Sequence, residues 1–162
     1  MSMKEFADDS GPNQIERLRW LPGRPDSIFE KIGGRKILVR VHVLFYQKVF
    51  AHKWLGKFFA HREPAILEEQ QTDFMSQNMG GPKIYMGGMP KAVHDHMYVT
   101  QELFDIRNGL LSDSIKACGV NDELREIWLG IDRAFSSKIV KEKLSDCKGR
   151  YVTQDILNFP KP

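Results

Sequence analysis

Apolar residues recur along the middle of the chain at spacings of three and four, with Gly and Pro falling between the runs. Behind Asn121, a residue type that caps helix N-termini, Leu124, Ile127, Trp128, Ile131 and Phe135 mark one helical face. Thr100 caps a longer helix that carries Leu103, Leu110, Leu111, Ile115 and Ala117 and closes at Gly119. Asp26 or Ser27 opens a short helix to Ile32 that stops at Gly33 and Gly34, because glycine accepts the left-handed conformation of a helix end. From Arg35 to His52 two periods compete: Ile37, Val39, Val41, Val43 and Phe45 alternate as in a strand, while Leu38, Val41, Phe45 and Val49 form a helical stripe. A run of this length without a breaker exceeds the usual strand and favours the helix. Pro64 suits a first helical position, and the helix it opens has sparse apolar positions (Ile66, Leu67, Phe74, Met75) with Gln70 and Gln71 in its middle. That helix ends at Gly80, Gly81 and Pro82; Lys83 to Pro90 reads as loop and Ala92 to Met97 as a brief helix. The pattern predicts an all-α protein with five substantial helical segments joined by Gly-rich turns.

The two ends read differently. Met1 to about Pro25 is broken by Gly11, Pro12, Pro22, Gly23 and Pro25, leaving only Ile15 to Leu21 as a short helical stretch. Cys147 to Pro162 carries Gly149, Pro160 and Pro162 and one apolar patch (Tyr151, Val152, Ile156, Leu157, Phe159), a tail that either packs or frays. The expected organisation is an extension over 1–26, one domain over 27–140 and a tail over 141–162. A chain of 162 residues builds a real core without metal or disulfide staples. Its 41% hydrophobic and 28% charged content is that of an ordinary globular protein. The net charge of +3 is small and its basic residues are interleaved with acidic ones, which argues against a nucleic-acid partner. Cys118 and Cys147 make neither a disulfide framework nor a Cys-rich zinc site, so a reducing cytoplasm is the expected location. No run approaches the roughly 20 apolar residues a bilayer crossing needs, and no membrane partner is expected.

Several residues in order resemble a known family. Ile28-Phe29-Glu30-Lys31-Ile32-Gly33-Gly34, then Phe45-Tyr46, Leu55-Gly56-Lys57-Phe58-Phe59, Gln71, Phe74, Gly80-Gly81-Pro82, Tyr85 and Val93-His94 resemble the ordered pattern of truncated haemoglobins of the Tyr-and-Gln distal type. The likeness spans about Ile28 to Val140. It implies a truncated globin fold, a two-over-two helical sandwich around haem b, with the iron held by His94 on a short element between two helices. His96, two residues on, is the rival ligand; on a helix it faces elsewhere. Without the resemblance, His94 and His96 read as surface histidines or as a His-x-His zinc pair lacking a third ligand.

The same resemblance makes Tyr46 and Gln71 the hydrogen-bond donors to a gas ligand that draws partial negative charge, with Gln70 beside them. Phe59 is the ring that packs on the porphyrin; Leu67, Phe74, Met75 and Tyr85 complete the pocket. Read without it, Tyr46 and these apolar residues are plain core and the glutamines face solvent. His42 shares a helical face with Tyr46 and either bonds it, reaches the iron, or is a core histidine. Two positions depart from the pattern. Pro90 stands where the family usually has Met, with Met89 one place earlier. Arg107 falls at a pocket position that is normally apolar or aromatic, so its guanidinium must reach a haem carboxylate, pair with an acid or point outward. Arg62, Lys83 and Lys91 are further partners for the carboxylates, or ordinary solvated charges.

The implied function is binding of O2, NO and CO at haem iron, with nitric oxide dioxygenase or weak peroxidase activity as enzymatic alternatives. Turnover needs an external reductase, because no Gly-rich nucleotide fingerprint is present. The competing class is a haem-free helical interaction module.

Overall fold

The capping residues act where the sequence places them. In the computed structural model, which describes residues 13–162, Ser27 Oγ accepts from the Glu30 N–H at 3.2 Å and opens α2 (Ile28–Ile32); Gly33, at φ 109°, closes it in the left-handed region. The ambiguous run is helix: α3 spans Arg35–Ala51 and buries Leu38, Val41, Phe45 and Val49, so the helical stripe prevails over the alternating one. After a 3-10 turn at Leu55–Phe59, α4 runs Pro64–Asn78 with Pro64 in its first turn. The short α5 covers Pro90–His94, starting at the proline that the sequence reading left in the loop. Thr100 and Asn121 cap α6 (Gln101–Ala117) and α7 (Asp122–Arg133) through their side-chain oxygens, and α8 (Ser136–Ile139) follows.

Helices α3 and α4 pack together, α6 packs on α7, and α3 against α6 joins the two pairs; α5 rests on α8. Among the described residues there is no sheet, only isolated parallel bridges at Met97–Leu157 and Val99–Val140. The solid core lies where α3, α6 and α7 meet, around Phe29, Leu38, Val41, Leu111, Ile115, Trp128 and Leu129. Each of these large side chains contributes about 1.5–3 kcal/mol by leaving water. The turn after α4 needs glycine for proximity: a Cβ at Gly81 would stand 2.6 Å from the Phe29 ring of α2 and from Ser76 Oγ.

The expected face of α7 is rotated. Ile127 is 38% exposed, and Trp128, Leu129 and Asp132 turn inward. An acid on the buried face is what binary patterning misreads, since it scores as solvent-facing.

Both ends of the described stretch are tied down. Residues 1–12 of the N-terminal extension lie outside the described residues; α1 (Gln14–Arg19) follows them. Arg19 Nε donates to Asp73 Oδ2 at 3.1 Å, and Asp73 also accepts from Arg35 at 2.8 Å, which links α1 to α3 and α4. The C-terminal segment packs instead of fraying. Trp54 Nε1 donates to the Phe159 carbonyl at 2.8 Å, and Phe58 and Phe159 meet edge-on at 4.9 Å.

Candidate functional site

A cavity of about 400 Å³ opens beside the solid core, walled by α3, the 3-10 turn, α4, α5, α6, α7 and the C-terminal segment. Tyr46, Phe59, Leu67, Gln70, Gln71, Phe74, Tyr85, His94 and Arg107, named from sequence, all line it. Met75 does not: it is fully buried one position around α4 from Phe74, inside the solid core. Leu67, Gln70, Gln71 and Phe74 share the face of α4 that meets the cavity, at helical spacing, and Met75 falls past its edge. Of the other sequence candidates, Arg62 lines the cavity, whereas Lys83 and Lys91 do not; Lys91 pairs with Asp95 at 3.0 Å.

His94 is placed by its own helix. Its Nδ1 donates to the Pro90 carbonyl one turn back, at 2.7 Å. That bond fixes the tautomer with the proton on Nδ1, so Nε2 carries a lone pair. Burial pushes the imidazole down from 6.5 to about 4, and the ring is neutral at physiological pH. The backbone of α5 is held as firmly. The Lys141 ammonium donates to the His94 carbonyl at the helix end, where a positive charge is favoured. Lys148 N–H donates to the Asp95 carbonyl at 2.8 Å. His96 also lines the cavity, against the expectation that it faces elsewhere, because the helix ends at His94 and the chain turns there. Among the described residues its side chain finds no comparable bond to fix a tautomer.

Tyr46 enters from α3. Burial raises its pKa to about 12, so the hydroxyl keeps its proton and is a donor. Among the described residues that hydroxyl has no hydrogen-bond partner, and neither do the carboxamides of Gln70 and Gln71. The aromatic wall is braced by edge contacts: Phe74 with Tyr85 at 5.1 Å and with Phe135 at 5.0 Å, Tyr46 with Phe59 at 6.3 Å. Tyr85 is fixed by donating to the Gly88 carbonyl at 2.6 Å.

Arg107 takes one of its three expected options. It pairs with Asp132 through NH1 at 2.6 Å and NH2 at 3.1 Å while remaining on the cavity wall, and its guanidinium lies over the rings of Phe45 and Phe104 at 5.4 and 5.6 Å. Burial opposes the charge, and Asp132 more than offsets it. His42 takes the core option: Nδ1 meets Thr72 Oγ1 at 2.7 Å and the ring does not reach the cavity. Sequence reasoning missed Asp132, Lys141, Arg150 and Gln154. Asp132 had a signal, being one turn beyond Trp128 on the same face; the other three sit in a stretch without periodicity.

These residues fit an iron porphyrin: apolar and aromatic walls for a flat ring, a neutral imidazole with a free nitrogen, unpartnered polar groups on α3 and α4, and guanidinium groups on the wall. Among the described residues no cluster of three or more His, Cys, Asp or Glu side chains is arranged to hold a bare metal ion. No helix of the described residues is long and apolar enough to cross a membrane.

Comparison with known proteins agrees. The model of the bacterial-like globin family matches residues 27–141. Group 1 truncated hemoglobin GlbN of Mycolicibacterium paratuberculosis is 34% identical over 112 residues, which is 69% of this chain and 82% of that protein. The group 1 truncated hemoglobin of Tetrahymena pyriformis is 33% identical over 99 residues, 61% of this chain and 82% of its own length. The crystal structure of the truncated hemoglobin from Tetrahymena pyriformis in its Fe(III) form superposes with a TM-score of 0.68 at 28% identity, covering 72% of this chain and 99% of that one. A matched family span of that extent, on a helical frame with this cavity, places the chain in the bacterial-like globin family, among the truncated haemoglobins, which bind haem and diatomic gases.

Proposed function

We propose that this chain binds O2, NO and CO at the iron of haem b, with His94 as the axial protein ligand and Tyr46 and Gln71 as donors to the gas. The carrying observation is the fixed tautomer of His94: with Nδ1 committed to the Pro90 carbonyl, the only ring nitrogen left to coordinate is Nε2 on a residue of the cavity wall. Haem supplies, when bound, an iron that takes a diatomic ligand and exchanges electrons. The protein does the rest. Phe59, Leu67, Phe74 and Tyr85 hold the ring and exclude water, and the protonated Tyr46 hydroxyl donates to negative charge on the ligand. Gln71, with Gln70 next to it, adds carboxamide donors from α4.

A second reading, nitric oxide dioxygenation, rests on the same donors: Tyr46 and Gln71 would retain O2 long enough for NO to meet it, and the electron that makes the product nitrate would come from the haem iron. An external reductase returns the electron that each turnover removes.

The test is the visible spectrum of wild type beside His94→Ala and His96→Ala, ferric, reduced and under carbon monoxide. The expected result is a Soret band that shifts on reduction and ligation in wild type and His96→Ala, is lost or grossly altered in His94→Ala, and returns there with added imidazole. A normal band in His94→Ala with loss in His96→Ala transfers the ligand role. No band in wild type after haem is added leaves a haem-free helical module. Nitrate formed in step with the decay of the oxygenated form on adding NO supports the dioxygenase reading, and decay without nitrate removes it.

A further inference from the structure

The family match stops at residue 141, yet the segment beyond it is built into the cavity wall. It is anchored along its length. Lys148 N–H donates to the Asp95 carbonyl at 2.8 Å, Leu157 N–H to the His96 carbonyl at 2.8 Å, and Tyr98 N–H returns to the Leu157 carbonyl at 2.8 Å. Further on, Phe159 is gripped by the Trp54 indole and the Phe58 ring, and Lys161 pairs with Glu102. Between these anchors Arg150, Gln154 and Leu157 face the cavity. The Arg150 backbone N–H is bound by the Gln154 carboxamide oxygen, which closes the turn that carries the guanidinium. That guanidinium lies by Gly88, where an added methyl would stand 3.5 Å from its NH2.

Charge accounting gives the segment a purpose. Arg150 and Arg62 are exposed residues that contribute to the cavity wall, and among the described residues neither has an acidic partner. Arg107, the third guanidinium on the wall, is already committed to Asp132. His96, Met97 and Leu157, which line the same cavity as Arg150 and Arg62, offer a carboxylate no charge to meet. A carboxylate buried there unpaired would be costly, and a planar guanidinium fork is the donor that suits it.

We propose that residues 142–162 form a strap across the haem pocket and that Arg150, with Arg62 from the turn before α4, binds the haem carboxylates. This rests on the haem reading above. The strap's role is retention: Leu157 covers apolar surface, Arg150 holds the charged edge, and neither touches the gas ligand.

Full-length protein is loaded with haem b and, separately, with its dimethyl ester, in which both carboxylates are blocked. The transfer of each porphyrin to an excess of a scavenging apoprotein is timed. Arg150→Ala is expected to speed haem loss roughly 2- to 5-fold, the range for an exposed charge pair, and to leave ester loss unchanged. Arg150→Lys should recover part of the retention, and Leu157→Ala should speed the loss of both porphyrins. Equal acceleration of haem and ester by Arg150→Ala, or no acceleration of either, overturns the carboxylate contact. A wild type that takes up neither porphyrin overturns the haem reading instead, so the two failures are distinct.

Discussion

His42 and His94 both lie in the interior and both are held neutral by burial, at about 3 and about 4, but the regions around them are built to different ends. His42 belongs to the packed half. Its Nδ1 meets Thr72 Oγ1 at 2.7 Å, its ring meets Trp128 edge-on at 5.9 Å, and its Nε2 is enclosed without a partner among the described residues. His94 belongs to the hollow half, where Nδ1 is satisfied within a five-residue helix and the accessible part of the ring faces the cavity. Burial and a neutral ring therefore do not identify a ligand. The discriminating feature is what the second nitrogen meets, packed atoms or open volume.

The sharpest way to break this comparison is acid. His42 binds no proton in the native state until pH falls to about 3, while the unfolded chain protonates it near 6.5. Its contribution is fully present above pH 6.5 and is lost as pH falls through that window, up to roughly 5 kcal/mol. His42→Asn removes the titration, so its urea midpoint should change less between pH 7 and pH 4 than that of wild type. Identical pH dependence in the two proteins would mean that the packed half is open to water. In haem-free protein His94 supplies a residual slope of the same sign.

Next in size is the pair that straddles the two halves. Arg107→Leu leaves Asp132, 5% exposed, without its partner and should cost about 3 kcal/mol in urea unfolding, at the low end for a broken buried pair because Arg107 itself is 19% exposed. Arg107→Leu with Asp132→Leu should restore most of the loss. If the double variant is no better than the single, the two charges are not coupled.

How much of each half the sequence discloses follows from the physics of its residues. The packed half is legible because apolar spacing and caps govern it: the stripe of α3, the Thr100 and Asn121 caps and the Gly33 stop all act where the pattern puts them. It misleads where a polar residue is buried for a partner's sake, as with Asp132, whose Arg107 lies on another helix. The hollow half has little apolar periodicity: its α4 face is at helical spacing but half of it is glutamine. Tyr46, Gln71 and His94 were legible only through the likeness to a family. Arg150 and Gln154 left no mark, and Leu157 showed only as part of an apolar patch, because the bonds that seat the strap are largely backbone to backbone and independent of residue type.

Within the hollow half, Tyr46→Phe removes one donor while keeping the ring and its edge contact with Phe59. A hydrogen bond to a charge-bearing acceptor is worth about 1.5–3 kcal/mol, so O2 should escape roughly 10- to 100-fold faster in stopped-flow displacement by carbon monoxide. Unchanged escape would assign the hydroxyl a purely structural part and leave Gln71 as the donor to test.

The smallest effect draws the boundary between the halves most finely, because it compares neighbours on one helix. Met75 and Phe74 are adjacent on α4, one sealed in the core and the other on the cavity wall. Met75→Leu nearly conserves volume, so it should cost less than about 1.5 kcal/mol and leave the Soret band and the haem-loss rate as in wild type. Phe74→Leu removes a ring that touches both Tyr85 and Phe135 and should alter both haem readouts. A Soret shift in Met75→Leu would carry the pocket one residue further around α4 than the packing allows, and the wall of the cavity would have to be redrawn there.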